Sequence, residues 1–352
     1  MGPEGEYLCA YHSILAHGYA VKAIRAQYPD RKLKFALPVV MGMFLLKDLM
    51  PQGWAEPLDP GKPEDVSAAA RTLEYSGGWY TDPLYFGDYP ESMRSDPVLA
   101  PNLKLFSAEE KSVIIGTADF VAINYYTSSY AYFDGGNGVK GQFGFTTVKN
   151  GQAIGSPAGI EWYAFFKLTK RQLVVPWGLR KLLGWMSARY KNADIWLTEI
   201  GCAGPSEDTK TRDEVIDDSF RIEFMKTHLA SLMEAIQLDN IPVKTVLVWS
   251  FLDNWEWQFG FKPRFGVVGV DYTNGTLDRF VKNSGKFLAD YFTGSAYWNE
   301  PNTPLKPSGG TGPTSNSSTV PGSRSKNAGL QTTAHSVLLV LCALLAAVVA
   351  LF

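Results

Sequence analysis

Apolar positions along this chain fall into two kinds of pattern. Leu8, Tyr11, Leu15 and Val21 recur at helical spacing, as do Phe220, Phe224, Leu232 and Ile236, so two helices with one buried face each are predicted. Four short apolar runs, at 35–40, 119–124, 194–199 and 244–250, read instead as strands of a parallel sheet buried on both faces. Three of these runs end on a polar or ionisable residue, Asn124, Glu199 and Ser250. In a (β/α) barrel that carboxyl edge is where chemistry sits. A closed barrel needs eight strands and only four are legible, so the predicted class is α/β, the C-terminal half of a (β/α)8 TIM barrel.

The ends of the chain depart from this pattern. Residues 304–335 contain 6 Ser, 5 Thr, 5 Gly and 4 Pro and no acidic or aromatic residue, the composition of a disordered linker. Residues 337–352 are wholly apolar, sixteen in a row, just short of the ~20 that span a bilayer comfortably. Upstream, Asn327-Ala328-Gly329 and a short polar spacer complete the pattern of a GPI-anchor signal, a tail-anchored helix being the other reading. The expected division is therefore 1–303 for the folded part, 304–335 for the linker and 336–352 for a hydrophobic tail. The expected location is the cell surface or a secretory-pathway membrane. Residues 1–6 carry no leader peptide. A membrane tail without a leader points to a chain whose true beginning lies upstream.

Charge and composition narrow the function. With 33 basic and 35 acidic residues the net charge is −2, which leaves no footprint for a phosphate backbone, and nucleic acid is excluded as a partner. Aromatics make up 13% of the chain, which suits a neutral, amphipathic ligand such as a sugar. Cys9, Cys202 and Cys342 are too few and too scattered for a disulfide framework or a zinc site, and the four histidines form no HExxH arrangement. No metal and no cofactor is expected. His12, His17 and His228 fall on predicted helices and read as packing residues. Asn274-Gly275-Thr276 and Asn316-Ser317-Ser318 are glycosylation sequons, the first equally suited to a hairpin turn.

Three segments carry the candidate chemistry. Trp196-Leu197-Thr198-Glu199-Ile200-Gly201 places a carboxylate at the end of a buried strand before a glycine turn. A lone Glu there also suits a cap or a salt bridge. The stretch from Trp249 to Trp257 holds three Trp and two carboxylates in nine residues. As a core it is costly, because each indole N–H needs a partner, so an aromatic ligand platform competes with a packing corner. Asn124-Tyr125-Tyr126-Thr127 adds an amide and two phenols at another strand end.

Taken together, these segments resemble the family 1 glycoside hydrolases, the group of β-glucosidases, lactase-type enzymes, myrosinases and klotho proteins. Thr198-Glu199-Ile200-Gly201 is similar to the family's Thr-Glu-Asn-Gly nucleophile motif. Trp249-Ser250-Phe251-Leu252-Asp253-Asn254-Trp255-Glu256-Trp257, followed by Arg264-Phe265-Gly266, is similar to its Trp-Ser-Leu-Leu-Asp-Asn-Phe-Glu-Trp stretch. Gly77-Gly78-Trp79, Asp82-Pro83 and Gly87-Asp88-Tyr89-Pro90 match the family's loop before strand 6. The resemblance implies retaining hydrolysis of β-glucosides or oligosaccharides, with Glu199 as nucleophile and Tyr126 orienting it. It also implies Asn124, Glu256 and Trp257 as sugar-binding residues, Trp249 as a platform beneath the ring and Phe265 as a wall. Ile200 departs from the family's Asn. The acid/base Asn-Glu-Pro motif is expected on earlier strands absent here, and Asn299-Glu300-Pro301 beside the linker reads as a chance tripeptide. The alternative function is an inactive, klotho-like surface domain that binds a sugar or a protein.

Overall fold

Four strands, Val39–Val40 (β1), Val121–Tyr125 (β2), Ile195–Ile200 (β3) and Val243–Val248 (β4), form a parallel sheet in the order β1-β2-β3-β4. This is seen in a computed structural model that describes residues 3–40, 53–135, 143–158, 172–273 and 275–294. Spatial order equals chain order, as in one arc of a (β/α) barrel. β2 is buried at all five positions, which is why its sequence shows no polar alternation.

The helices Pro3–Gln27 (α1), Pro176–Arg189 (α2) and Ser219–Gln237 (α3) separate or flank these strands. On α1 the buried stripe is Tyr7, Ala10, Tyr11, Ile14 and Val21, so Tyr7 takes the place expected for Leu8, which is exposed. On α3, Phe224, His228, Leu229 and Leu232 are buried together with the charged Arg221.

Several elements differ from the sequence expectation. Only Val39 and Val40 of the first run join the ladder. Pro38 has no N–H to give, and Phe35 is instead tied to Asp119, whose N–H donates to its carbonyl at 2.7 Å. β4 is an edge strand among the described residues, and Leu247 on it is 38% exposed, so it is not covered on both faces. The segment expected as a loop before strand 6 is mostly helical. Gly77 and Gly78 close a wide turn between helices Pro63–Leu73 and Trp79–Phe86. Asp82 on the second helix is buried and accepts from Arg189 at 2.9 Å and from the Tyr190 hydroxyl at 2.7 Å, so this part of the motif is structural. A mixed side sheet of Gly53–Pro57, Thr127–Phe133 and Phe143–Thr146 had no clear signature in the sequence.

A second feature invisible in the sequence is a buried ion network. The Arg221 guanidinium reaches Glu207 at 3.0 Å and also pairs with Asp218. Lys282 joins Glu207 at 2.8 Å to Asp253 at 3.1 Å, and Arg264 approaches Asp253 at 3.5 Å. Three cations thus face three carboxylates, which offsets the cost of removing each from water.

The chain divides into two units, Met1–Ser284 and Gly285–Phe352. In the second, the described residues continue the helix Asn283–Thr293, on which the Phe287 and Tyr291 rings lie 6.0 Å apart. Among the described residues no helix is long and apolar enough to cross a membrane. The expected linker and tail, Asn274, Asn316, Glu300 and Cys342 all lie outside the described residues. His228 packs as expected and donates to the Phe224 carbonyl at 2.8 Å, while His17 is half-buried against Thr117. His12 is exposed, one step off the buried stripe of α1.

Candidate active site

The site is built where β2 and β3 end. Their register slips between Leu197↔Ile123 and Glu199↔Asn124, so one extra residue turns the Glu199 side chain relative to a regular ladder. Thr198 Oγ1 donates to Asn124 Oδ1 at 2.7 Å. With its oxygen engaged, the Asn124 side chain turns its NH2 to Glu199. The next two residues split by alternation. The Tyr125 hydroxyl donates to the Val175 carbonyl at 2.5 Å on the covered side, and the Tyr126 hydroxyl donates to Glu199 Oε2, also at 2.5 Å. Burial pushes the Glu199 carboxyl above its ordinary range, and the Tyr126 phenol and Asn124 amide pull it back. Both partners are neutral.

Past β4 the chain folds over the same strand ends. Gly201 is required there: a Cβ on it would lie 1.7 Å from the Trp249 carbonyl oxygen. The Trp249 backbone N–H donates to Ile200 at 2.9 Å, and its indole Nε1–H donates to Glu256 Oε1 at 3.0 Å. Glu256 is only 3% exposed. Burial, helped by the charge of Glu199, pushes its carboxyl up to about 7 against the pull of the Trp249 indole. The loop's shape is held by buried Asp253, which accepts from the Gly266 N–H at 2.9 Å and from Lys282 at 3.1 Å.

Glu199, Tyr126, Asn124, Trp249 and Glu256 are therefore drawn together by direct contact or by charge. Two expected site residues stand differently. Phe265 is 1% exposed and meets Tyr126 edge-on at 6.1 Å, so it backs the phenol and does not form a wall of an open pocket. Trp257 is 67% exposed, with a left-handed backbone (φ 49°) that turns its indole out to solvent. Ile200, the departure from the family motif, is fully buried in the core, so the substitution leaves the Glu199 contacts intact. Sequence reading missed Gln172, a buried amide whose Nε2 donates to Tyr126 and Gly201 carbonyls. Its sole signal was a polar residue at the head of a short apolar run. Among the described residues no His, Cys, Asp or Glu cluster is arranged to hold a metal ion.

Known proteins resemble this chain in sequence and fold. The chain is 39% identical to Beta-glucosidase 4 of Oryza sativa subsp. japonica over 306 residues, 83% of this chain and 58% of that protein. Against Beta-glucosidase 42 of Arabidopsis thaliana it is 35% identical over 297 residues, 82% of this chain and 56% of the other. Among solved structures, a β-glucosidase from the fungus Humicola insolens in complex with glucose superposes with a TM-score of 0.71 at 30% identity, over 82% of this chain and 57% of that one. The chain thus spans little more than half the length of these relatives. The family description "Glycosyl hydrolase family 1" matches residues 3–295, the part that carries every strand end of the site, and on that match the chain belongs to glycosyl hydrolase family 1.

Proposed function

We propose that this chain carries the nucleophile of a retaining β-glycosidase acting on β-glucoside-type substrates. The observation that supports this most directly is the 2.5 Å contact between the Tyr126 phenol and Glu199 Oε2 at adjoining strand ends. The phenol occupies one carboxylate oxygen and leaves the other to attack. In the first step that oxygen bonds to the anomeric carbon while the glycosidic C–O bond breaks, and the leaving oxygen takes a proton from a second carboxyl. In the second step water attacks the same carbon, gives its proton to that second carboxyl, and frees Glu199. Glu256 and Trp249 are assigned to sugar hydroxyls and the ring face, with Asn124 beside the nucleophile. The proton donor is assigned to a carboxyl that this chain does not supply, as the resemblance implies. The relatives are β-glucosidases by name, and a glucose complex among them favours glucosides here.

The test exploits a substrate that needs no acid. 2-Deoxy-2-fluoro-β-glucosyl fluoride transfers its sugar to the nucleophile as fluoride leaves. Intact mass of the full chain is expected to show one adduct, mapped to Glu199 and absent from Glu199→Ala. An adduct that persists in the variant, or none on the wild type, overturns the assignment. We also infer that the tail 336–352 ties the protein to a membrane, on the uninterrupted apolar run 337–352. Release by phosphatidylinositol-specific phospholipase identifies a lipid anchor, retention an uncleaved helix, and recovery in the soluble fraction without treatment overturns the attachment.

A further inference from the structure

Gln172 opens the short strand Gln172–Val174 and is 3% exposed. Its amide nitrogen donates to the Tyr126 carbonyl at 2.8 Å and to the Gly201 carbonyl at 2.8 Å. A primary amide has two N–H bonds, so both are used and the group is held from two sides. The two carbonyls lie just past the ends of different strands, β2 and β3. One residue on, Thr127 Oγ1 donates to the Leu173 carbonyl at 2.9 Å, a second tie between the same segments. Gly201 is also crowded by the Trp249 carbonyl, which leaves no room for a Cβ.

This bracket sits where the sheet itself stops being regular. The register between β2 and β3 slips just before Glu199, so the ladder alone does not set the spacing of the Tyr126 and Glu199 backbones. We propose that Gln172 is a positioning residue: by bracketing the Tyr126 and Gly201 carbonyls, its amide sets the distance between the Tyr126 phenol and the Glu199 carboxylate. The proposal rests on Glu199 being the nucleophile, because only then does that distance govern a rate. Displacements of about 1 Å in such geometry cost on the order of 10²-fold.

The test uses Gln172→Met, which keeps length and volume and removes both donors. Adduct formation by the full chain with 2-deoxy-2-fluoro-β-glucosyl fluoride is followed against pH. The maximal labelling rate is expected to fall about tenfold or more with little change in the half-saturating sugar concentration. Its acid limb is expected to move to higher pH, because a displaced phenol no longer favours ionised Glu199. Glu256, whose carboxyl couples to Glu199 by charge, is the other titratable group facing it and is unchanged in the variant. A residue that merely supports the fold would lower the folded fraction and leave the acid limb in place. Gln172→Glu is the second variant. Its ionised form faces two carbonyls, and its protonated form restores one donor, so its deficit relative to wild type should shrink as pH falls. An unmoved acid limb and an unchanged maximal rate in Gln172→Met, or a pH-independent deficit in Gln172→Glu, overturn the proposal. The Glu199 carboxyl is also titrated by carbon-13 NMR, assigned by its loss in Glu199→Gln. If wild type forms no adduct, the nucleophile reading fails. A Glu199 titration that still moves upward in Gln172→Met then supports the bracket, and an unmoved one overturns it.

Discussion

Two groups of carboxylates withdrawn from water in this protein are treated in opposite ways. Glu207, Asp218 and Asp253 meet Arg221, Lys282 and Arg264 in a closed set of ion pairs. Glu199 and Glu256 meet a phenol, an amide and an indole, all neutral, and burial leaves both carboxyls raised. The first group has its charge cancelled and holds elements together. The second retains its charge cost, which is the condition under which a carboxyl is able to take up or release a proton, or attack, near neutral pH. Burial alone therefore does not distinguish structure from chemistry; the sign of the partner does.

The contrast is sharpest at Lys282. Its replacement by Met leaves Glu207 and Asp253 short of a buried cation, and about 3–5 kcal/mol of stability should be lost. Urea denaturation at pH 7 measures this, and a loss below about 1 kcal/mol would show that the network is not the compensating half of the comparison. Glu256 tests the other half through pH. Its carboxyl is raised to about 7 in the folded state from 4.5, so the folded protein keeps a proton that the unfolded chain releases. Stability attributable to Glu256 should therefore decline as pH rises from about 4.5 through 7, by about 3 kcal/mol in full. Glu256→Gln should remove that decline, and identical pH slopes in urea for wild type and variant would contradict it.

Two smaller effects separate chemistry from stability. Tyr126→Phe removes a hydrogen bond to a charged group, so adduct formation at Glu199 should slow roughly tenfold. The acid limb of that rate should move upward in pH, because the phenol lowers the Glu199 carboxyl; a downward move would reverse the assigned role. Smallest of all, Glu199→Gln should leave the unfolding free energy within about 1 kcal/mol of wild type or raise it, since a half-buried charge with neutral partners is relieved. A clear loss of stability there would place Glu199 with the structural carboxylates.

Much of the site was legible in the sequence because its chemistry is concentrated in contiguous stretches. Glu199 stands at the end of an apolar run, Asn124 and Tyr126 close another, and Trp249 and Glu256 share one loop seven residues apart. Strand ends are local events, and the burial of β2 follows from five residues in a row. Family motifs added the order of these segments and the roles expected of their residues. Phe265 and Trp257 show the limit of that information, since a motif names a residue without saying which way its side chain turns in this chain.

What the sequence by itself determined is the parallel sheet and its polar carboxyl edge, products of short-range hydrophobic pattern, and, through the family motifs, the candidate residues on that edge. Tertiary structure alone decided the rest. Gln172 reaches carbonyls 46 and 29 residues away, and Lys282 reaches a carboxylate 75 residues away. No local pattern encodes such contacts, because an amide or ammonium looks the same in sequence whether water or a buried partner satisfies it. The choice between those fates is made only when the chain's distant segments close around the group and exclude the water.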